Sequence, residues 1–342
     1  MVIRDSAAPR LAMPDDGAEA GATLPRIEAA ETRVRLEQAI EAVATVLWGN
    51  NEAVRLVFAA VAARGHILLE DIPGVGKTTL ARAVARVLGC SFSRVQFTAD
   101  MLPSDVLGVH VLDPKEGRFE FKKGPIFADV ILADEINRAS PKTQSAMLEA
   151  MSDRQVTVDR SSFRLPEVFT VIATQNPVEH HGAYPLPESQ LDRFMARITL
   201  GYPPKEEERA LILSPGEPER NLAAIEPVFD PGAVAAIQRL VESVRVSEPV
   251  ADYILALAEA TRHHPDILLG CSPRGSVVFA AMARARAFLE GRDFVLPDDV
   301  QELAATILTH RIIVAAGPAR SGSRQAAQMV VEDIVAQVPV PR

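Results

Sequence analysis

Apolar residues recur at helical spacing from Glu31 to Leu47, stop at Trp48-Gly49-Asn50-Asn51, and resume through Ala63, which predicts two helices joined by a short break. Short apolar runs then alternate with helical patterns: Ile67-Leu68-Leu69, Val95-Gln96-Phe97, Val130-Ile131-Leu132-Ala133, Val168 to Ala173, and Arg197 to Leu200. Such runs, separated by helix-length segments, predict a parallel sheet covered on both faces. Two stretches break the pattern. Val109-His110-Val111 and Phe119-Glu120-Phe121 alternate around Pro114-Lys115-Glu116-Gly117, and Gln155 to Val158 leads into a second turn, so both are expected as hairpins inserted into the α/β core. After Pro203-Pro204, strand-like runs become scarce and helical patterns dominate to residue 335. The expected organisation is an α/β domain over residues 31–204 and a helical lid over 205–342. Residues 1–30, rich in Ala, Pro, Asp and Gly, offer too little apolar surface to fold and are expected as a disordered tail. Met147, Leu148 and Met151 form a helical stripe expected to face the core.

Composition narrows the function. The 342 residues are 48% hydrophobic and 24% charged, enough for a substantial core and two domains. Asp and Glu number 45 against 36 Lys and Arg, a net charge of -9, opposite to the footprint of a phosphate-backbone binder, so no nucleic-acid partner is expected. Cys90 and Cys271 are isolated, without the spacing of a zinc site or disulfide framework, which points to a reducing cytoplasm. The apolar segment Val54 to Ala63 is short and carries Arg55, and the N-terminus lacks a basic-then-hydrophobic signal, so neither membrane insertion nor export is expected.

The strongest motif follows the first predicted strand. Glu70-Asp71-Ile72-Pro73-Gly74-Val75-Gly76-Lys77-Thr78-Thr79 runs directly into an amphipathic helix with Leu80, Ala83, Val84, Val87 and Leu88 on one face. Small residues in a strand-to-helix turn let successive backbone N–H groups converge on phosphate oxygens, and the helix N-terminus adds a field favourable to the anion. Lys77 is expected on the β- and γ-phosphates of ATP and Thr78 on Mg2+. Pro73, Gly74, Val75, Gly76 and Thr79 complete the expected cradle, and Gly49, in the break between the first two helices, is a further candidate nucleotide contact. Asp71 stands where P-loops usually have Gly, so the loop entrance is expected to be altered.

Four further positions carry candidate chemistry. Val130 to Ala133 ends in Asp134-Glu135, at the carboxyl end of a buried strand, where open α/β sheets bind ligands. Asp134 is expected to hold Mg2+ through water. Glu135, on the opposite side of the strand end by the period-two rule, is expected to take the proton of an attacking water. Asn176, after the strand ending at Ala173, is a candidate to orient that water or sense the γ-phosphate; its plainer reading is an Asn-Pro turn. Arg193 in Leu191-Asp192-Arg193-Phe194 is a candidate arginine finger across a subunit interface, against the plainer alternative of an intrachain pair with Asp192 or Glu188. In Ser272-Pro273-Arg274-Gly275, Ser is a helix N-cap and Pro a first-turn residue, but Arg274 opposes the helix dipole unless an anion faces it; an offset by Asp266 is the alternative. The pairs His180-His181 and His263-His264 lack a carboxylate cluster at ligand spacing and are expected as loop or surface residues.

With these motifs in place, the chain resembles the MoxR-type AAA+ ATPases. The likeness is carried by Gly65-His66-Ile67-Leu68-Leu69-Glu70-Asp71, Gly124-Pro125-Ile126-Phe127-Ala128, Asp134 through Gln144, Ala173-Thr174-Gln175-Asn176-Pro177 and Tyr184-Pro185-Leu186-Pro187-Glu188, and Asp71 is itself similar to what members carry there. The resemblance implies an AAA+ P-loop core with a five-stranded parallel sheet and the two hairpin insertions, a helical lid, and a ring, commonly a homo-hexamer. It also implies the first Walker role for Lys77 and Thr78, the second for Asp134 and Glu135, the first sensor for Asn176, the finger for Arg193 and the second sensor for Arg274. Members act as chaperones that mature or activate a client protein, often with a partner bearing a von Willebrand factor A domain. Two other readings are a helicase-like nucleic-acid motor, against which the acidic balance argues, and a scaffold that binds ATP without turnover, against which Glu135 and Asn176 argue.

Overall fold

The computed structural model describes residues 26–159, 161–176, 184–315 and 324–341. Helix α1 (Arg26–Ala44) is followed by α2 (Asn51–Ala62), β1 (Ile67–Glu70), α3 (Lys77–Val87) and β2 (Phe92–Gln96). A short helix α4 (Pro103–Leu107) leads into β3 (Gly108–Asp113) and β4 (Arg118–Lys123), then β5 (Val130–Asp134), α5 (Pro141–Asp153), β6 (Gln155–Val158), β7 (Ser161–Arg164), β8 (Thr170–Gln175), α6 (Glu188–Leu191) and β9 (Ala196–Ile198). The rest comprises α7 (Lys205–Leu213), α8 (Glu217–Ala224), α9 (Pro231–Glu242), α10 (Glu248–His263), β10 (Ile267–Leu269), α11 (Pro273–Leu289), α12 (Pro297–Leu308), β11 (Ile313–Val314) and α13 (Arg324–Gln337). Helix α1 takes in residues 26–30, expected in the tail: Glu28-Ala29-Ala30-Glu31 is strongly helix-favouring. The remainder of that expected tail lies outside the described residues, as do Pro177, His180 and His181.

The sheet has the strand order β2-β5-β8-β1-β9, and each adjacent pair is parallel. Because side chains alternate along a strand, the sheet feeds two cores. Ile67, Leu69, Val130, Leu132 and Ile172 face α1, α2 and α3, in a cluster that runs on without a break into Phe279, Met282, Leu303 and Ile307 of the C-terminal helices. Leu68, Ile131, Ala133, Val171 and Ala173 face the other way, onto the Met147, Leu148 and Met151 stripe of α5 and Phe194. Helix starts follow local chemistry: the side chains of Ser140, Asp230 and Ser272 accept N–H groups at the starts of α5, α9 and α11, each with Pro in the first turn.

Both expected hairpins are present, as β3–β4 and β6–β7. Two details differ from the sequence pattern. The last sheet strand stops at Ile198 and not at Leu200, because the N–H groups of Leu200 and Gly201 both donate to Asp71 Oδ2, at 2.7 Å each, and leave the ladder. The helical region also contains one antiparallel pair, β10 with β11. In the order β5-β8-β1, the carboxyl ends of three neighbouring strands lie side by side, so the loops after them meet at one sheet edge.

Candidate active site

At that edge a cleft of about 350 Å³ is lined by Pro73, Gly74, Gly76, Lys77, Thr78, Thr79, Arg94, Asp134, Glu135 and Asn176. The loop after β1 supplies its floor. Gly74 and Gly76 take φ of +87° and +92°, left-handed values that suit glycine, and Gly76 caps α3. This is the backbone form of an anion nest at a helix N-terminus. Val75 turns its side chain the other way, against the core. Lys77 Nζ donates to the Asp71 carbonyl at 2.6 Å, so the lysine spans the loop base.

Asp71 explains the departure from the usual P-loop glycine. Its carboxylate is buried; Oδ1 accepts the Ile72 N–H at 2.9 Å, while Oδ2 accepts those of Leu200 and Gly201. A side chain thus ties the loop entrance to the chain leaving β9, a link glycine could not make. Next to it Glu70 is buried with Arg197, whose pKa burial lowers to about 10, and with Arg324 of α13 at 3.5 Å.

The two carboxylates after β5 share one organiser. The Thr174 hydroxyl donates to Asp134 Oδ1 at 2.6 Å and accepts the Glu135 N–H at 2.8 Å. Glu135 itself has φ 57° and ψ 48°, left-handed for a non-glycine residue. The period-two alternation expected at this position therefore fails: the extended backbone ends at Asp134, and both carboxylates line the same cleft. Glu135 Oε2 accepts from Gln96 Nε2 at 2.9 Å and pairs with Arg138 at 3.1 Å. Asp134 Oδ2 is held by Arg94. Asn176, buried just past β8, completes the wall.

Three sequence-predicted residues lie elsewhere. Gly49 lines a neighbouring cavity of about 320 Å³ with Arg197, Thr199, Thr306, Thr309 and Arg324; a Cβ there would come within 2.4 Å of Pro204 Cδ, so the glycine permits close approach of the segment entering α7. Arg193 donates to the Leu148 carbonyl at 3.0 Å and to the Ser152 hydroxyl, both on α5, and neither expected intrachain partner is involved. Asp192 instead accepts from Arg311 Nε at 2.9 Å and from the Ser272 hydroxyl at 3.0 Å. Arg274, two residues past Ser272 in the first turn of α11, is exposed. Arg193 and Arg274 thus flank one joint, Asp192–Ser272, and neither lines the cleft.

Arg94, Gln96, Thr174 and Arg311 were not singled out from the sequence. Arg94 and Gln96 carry a usable signal, since polar residues two apart on a strand share a face. Thr174 and Arg311 carry none, because their partners are 40 and 119 residues away. The remaining candidates are quiet. Burial pushes the Cys90 thiol up to about 12 and raises Cys271, which suits small apolar side chains. Among the described residues no group of three or more His, Cys, Asp or Glu is placed to hold a metal, and no helix is long and apolar enough to cross a membrane.

A phosphate nest after β1 on a parallel β2-β5-β8-β1-β9 sheet, paired acidic residues at the end of β5 and a helical lid define a P-loop ATPase of the AAA+ class. Residues 66–196 match the ATPase family associated with various cellular activities (AAA), and residues 259–334 match the AAA lid domain. The chain is 38% identical over 318 residues to the chaperone MoxR1 of Mycobacterium tuberculosis, covering 90% of this chain and 81% of that one. It is 45% identical over 306 residues to the protein YeaC of Bacillus subtilis, covering 90% and 95%. A crystal structure from Cytophaga hutchinsonii, described as a candidate ATPase, superposes with a TM-score of 0.81 at 35% identity over 92% of this chain and 98% of that one. The chain belongs to the MoxR family of AAA+ ATPases.

Proposed function

We propose that this protein hydrolyses ATP with Mg2+ as a ring of identical subunits, commonly six, and uses the cycle to remodel or activate a client protein in the cytoplasm. The observation that carries the reading is a division of labour. One cleft gathers Lys77, Thr78, Asp134, Glu135 and Asn176, while Arg193 and Arg274 stand together at a different joint.

Thr78 and Asp134 offer oxygen donors, which suit a hard cation that keeps water and phosphate in its remaining positions. Bound there, Mg2+ would neutralise charge on the transferring phosphoryl group. Lys77 and the N–H groups of residues 74–79 bind the phosphates, and Glu135, fixed through Thr174, takes the proton of the attacking water while Asn176 orients it. On this reading Gly49 and the cavity it lines would take the nucleotide's far end. Arg193 and Arg274 would reach the phosphates of a neighbouring subunit, and that requirement is what makes a ring the favoured assembly. The likeness to the chaperone MoxR1 supports a protein client, with a von Willebrand factor A domain partner as the family-based expectation. Glu135→Gln is expected to keep ATP affinity and lose about 10² or more of kcat, measured by nucleotide titration and phosphate release. Equal turnover in both proteins would remove Glu135 from the chemistry.

A further inference from the structure

The Asp134 carboxylate has one oxygen fixed and one contested. Oδ1 is fixed by the Thr174 hydroxyl, and Oδ2, the oxygen left for a cation, is taken by Arg94 through Nε at 3.2 Å and Nη2 at 2.6 Å. Arg94 comes from β2, the edge strand beside β5, and lines the cleft together with Asp134 and Thr78. A guanidinium and a divalent cation cannot share those lone pairs, because they compete for the same acceptor and repel each other at that range.

We propose that Arg94 is the resident counterion of the metal-binding carboxylate, holding Asp134 until a nucleotide-bound cation displaces it, so that the metal enters with its nucleotide and not alone. The proposal rests on the reading of Asp134 as a metal ligand. A lone hydrated cation gains one carboxylate and one hydroxyl at this site, too little to eject a guanidinium already paired there. A cation carried on ATP arrives with the phosphate contacts of the nest, which supply the difference.

The surroundings make the displacement reversible. The Arg94 side chain is 48% exposed, and its Nη2 already donates to Gln96 Oε1 at 2.9 Å, so on leaving Asp134 it keeps one acceptor and gains water. The openness is on the arginine's side only, since 12% of the Asp134 side chain is exposed, so the guanidinium can swing into water while the carboxylate stays in the cleft. The Arg311–Asp192 pair shows the opposite design: with 1% of its side chain exposed and backbone carbonyls around it, Arg311 has nowhere to go. Because Thr174 fixes the other oxygen, Asp134 need not move when its partner changes.

Manganese binding to the nucleotide-free protein, followed by electron paramagnetic resonance, tests the gate directly. Arg94→Ala and Arg94→Gln are expected to bind Mn2+ about tenfold or more tightly than the wild type, and Arg94→Lys, which keeps the cation, to stay near the wild type. Circular dichroism and the midpoint of thermal unfolding, compared across all four proteins, verify that the variants are folded. Wild-type Mn2+ affinity in both neutral variants would overturn the gate while leaving the ATPase reading intact. An Asp134→Ala protein that held Mn2+·ATP as tightly as the wild type would overturn the metal reading, and the gate with it.

Discussion

One hydroxyl, that of Thr174, sets the geometry of both acidic residues. It is almost fully buried, donates to the side chain of Asp134 and accepts from the backbone of Glu135, so it stabilises a left-handed residue at the end of a strand and aims its side chain. Strain of this kind persists only where neighbours over-determine it. Thr174→Val preserves shape but removes both bonds, and kcat is expected to fall about 10- to 100-fold with KM for ATP changed far less, because the nest that binds phosphate is untouched. Steady-state kinetics read both parameters, and a change confined to KM would show that Thr174 serves binding instead. Lys77, Thr78, Asp134 and Glu135 were legible as residues because each lies in a contiguous stretch whose local form is dictated nearby. The roles of Asp71 and Thr174 were not, since a carboxylate in place of a loop glycine makes sense only once Leu200 and Gly201 are seen beside it.

Among the elements, β1 depends on the residue just before it. His66 is buried, accepts the Val171 N–H on Nδ1 at 3.0 Å and therefore donates from Nε2 to the Met151 carbonyl at 3.1 Å, joining β1, β8 and α5. Burial lowers its pKa to about 4, so the folded protein holds the ring neutral while the unfolded chain protonates near 6.5. Stability from this residue is therefore full above pH 6.5 and is lost as pH falls towards 4, by about 2 kcal/mol between pH 7 and pH 5. Urea unfolding at the two pH values checks this against His66→Gln, in which that fraction of the pH dependence should vanish. Periodicity made the five strands and both hairpins legible, because burial on two faces and alternation on one leave different patterns. It overran at Leu200 and overlooked β10 and β11, three residues and two residues long, which carry too few positions for any period to register.

At the scale of the whole molecule, the two arginines proposed to act in phosphoryl transfer, Arg193 and Arg274, stand away from the cleft. Arg311, buried in the lid, grips Asp192 and the carbonyls of Phe194 and Met195, and Ser272 at the start of α11 bonds the same Asp192. The segment bearing Arg193 and the helix bearing Arg274 are therefore bound into one joint, and both cations would be offered together to a neighbour. Arg193→Ala and Lys77→Ala proteins are each expected to lose about 10³ or more in ATPase rate. Mixed, they should recover activity, since one contributes an intact nest and the other an intact arginine. Phosphate release on mixing, with subunit exchange followed by native mass spectrometry, measures this; exchange without recovery would leave Arg193 with no role across an interface.

From sequence alone came the class of chemistry, the five sheet strands with their two hairpins, and the residues proposed to touch phosphate and metal, since each is encoded in a run short enough for local rules to govern. Only the tertiary structure decided which side chains hold those residues in place. Arg94 reaches Asp134, Thr174 reaches Asp134 and Glu135, Asp71 reaches Leu200, and Arg311 reaches Asp192, each across 39 to 129 residues of chain. A hydrogen bond depends on distance in space, and over such separations it is the packing of the sheet and helices, not the spacing of letters, that sets it.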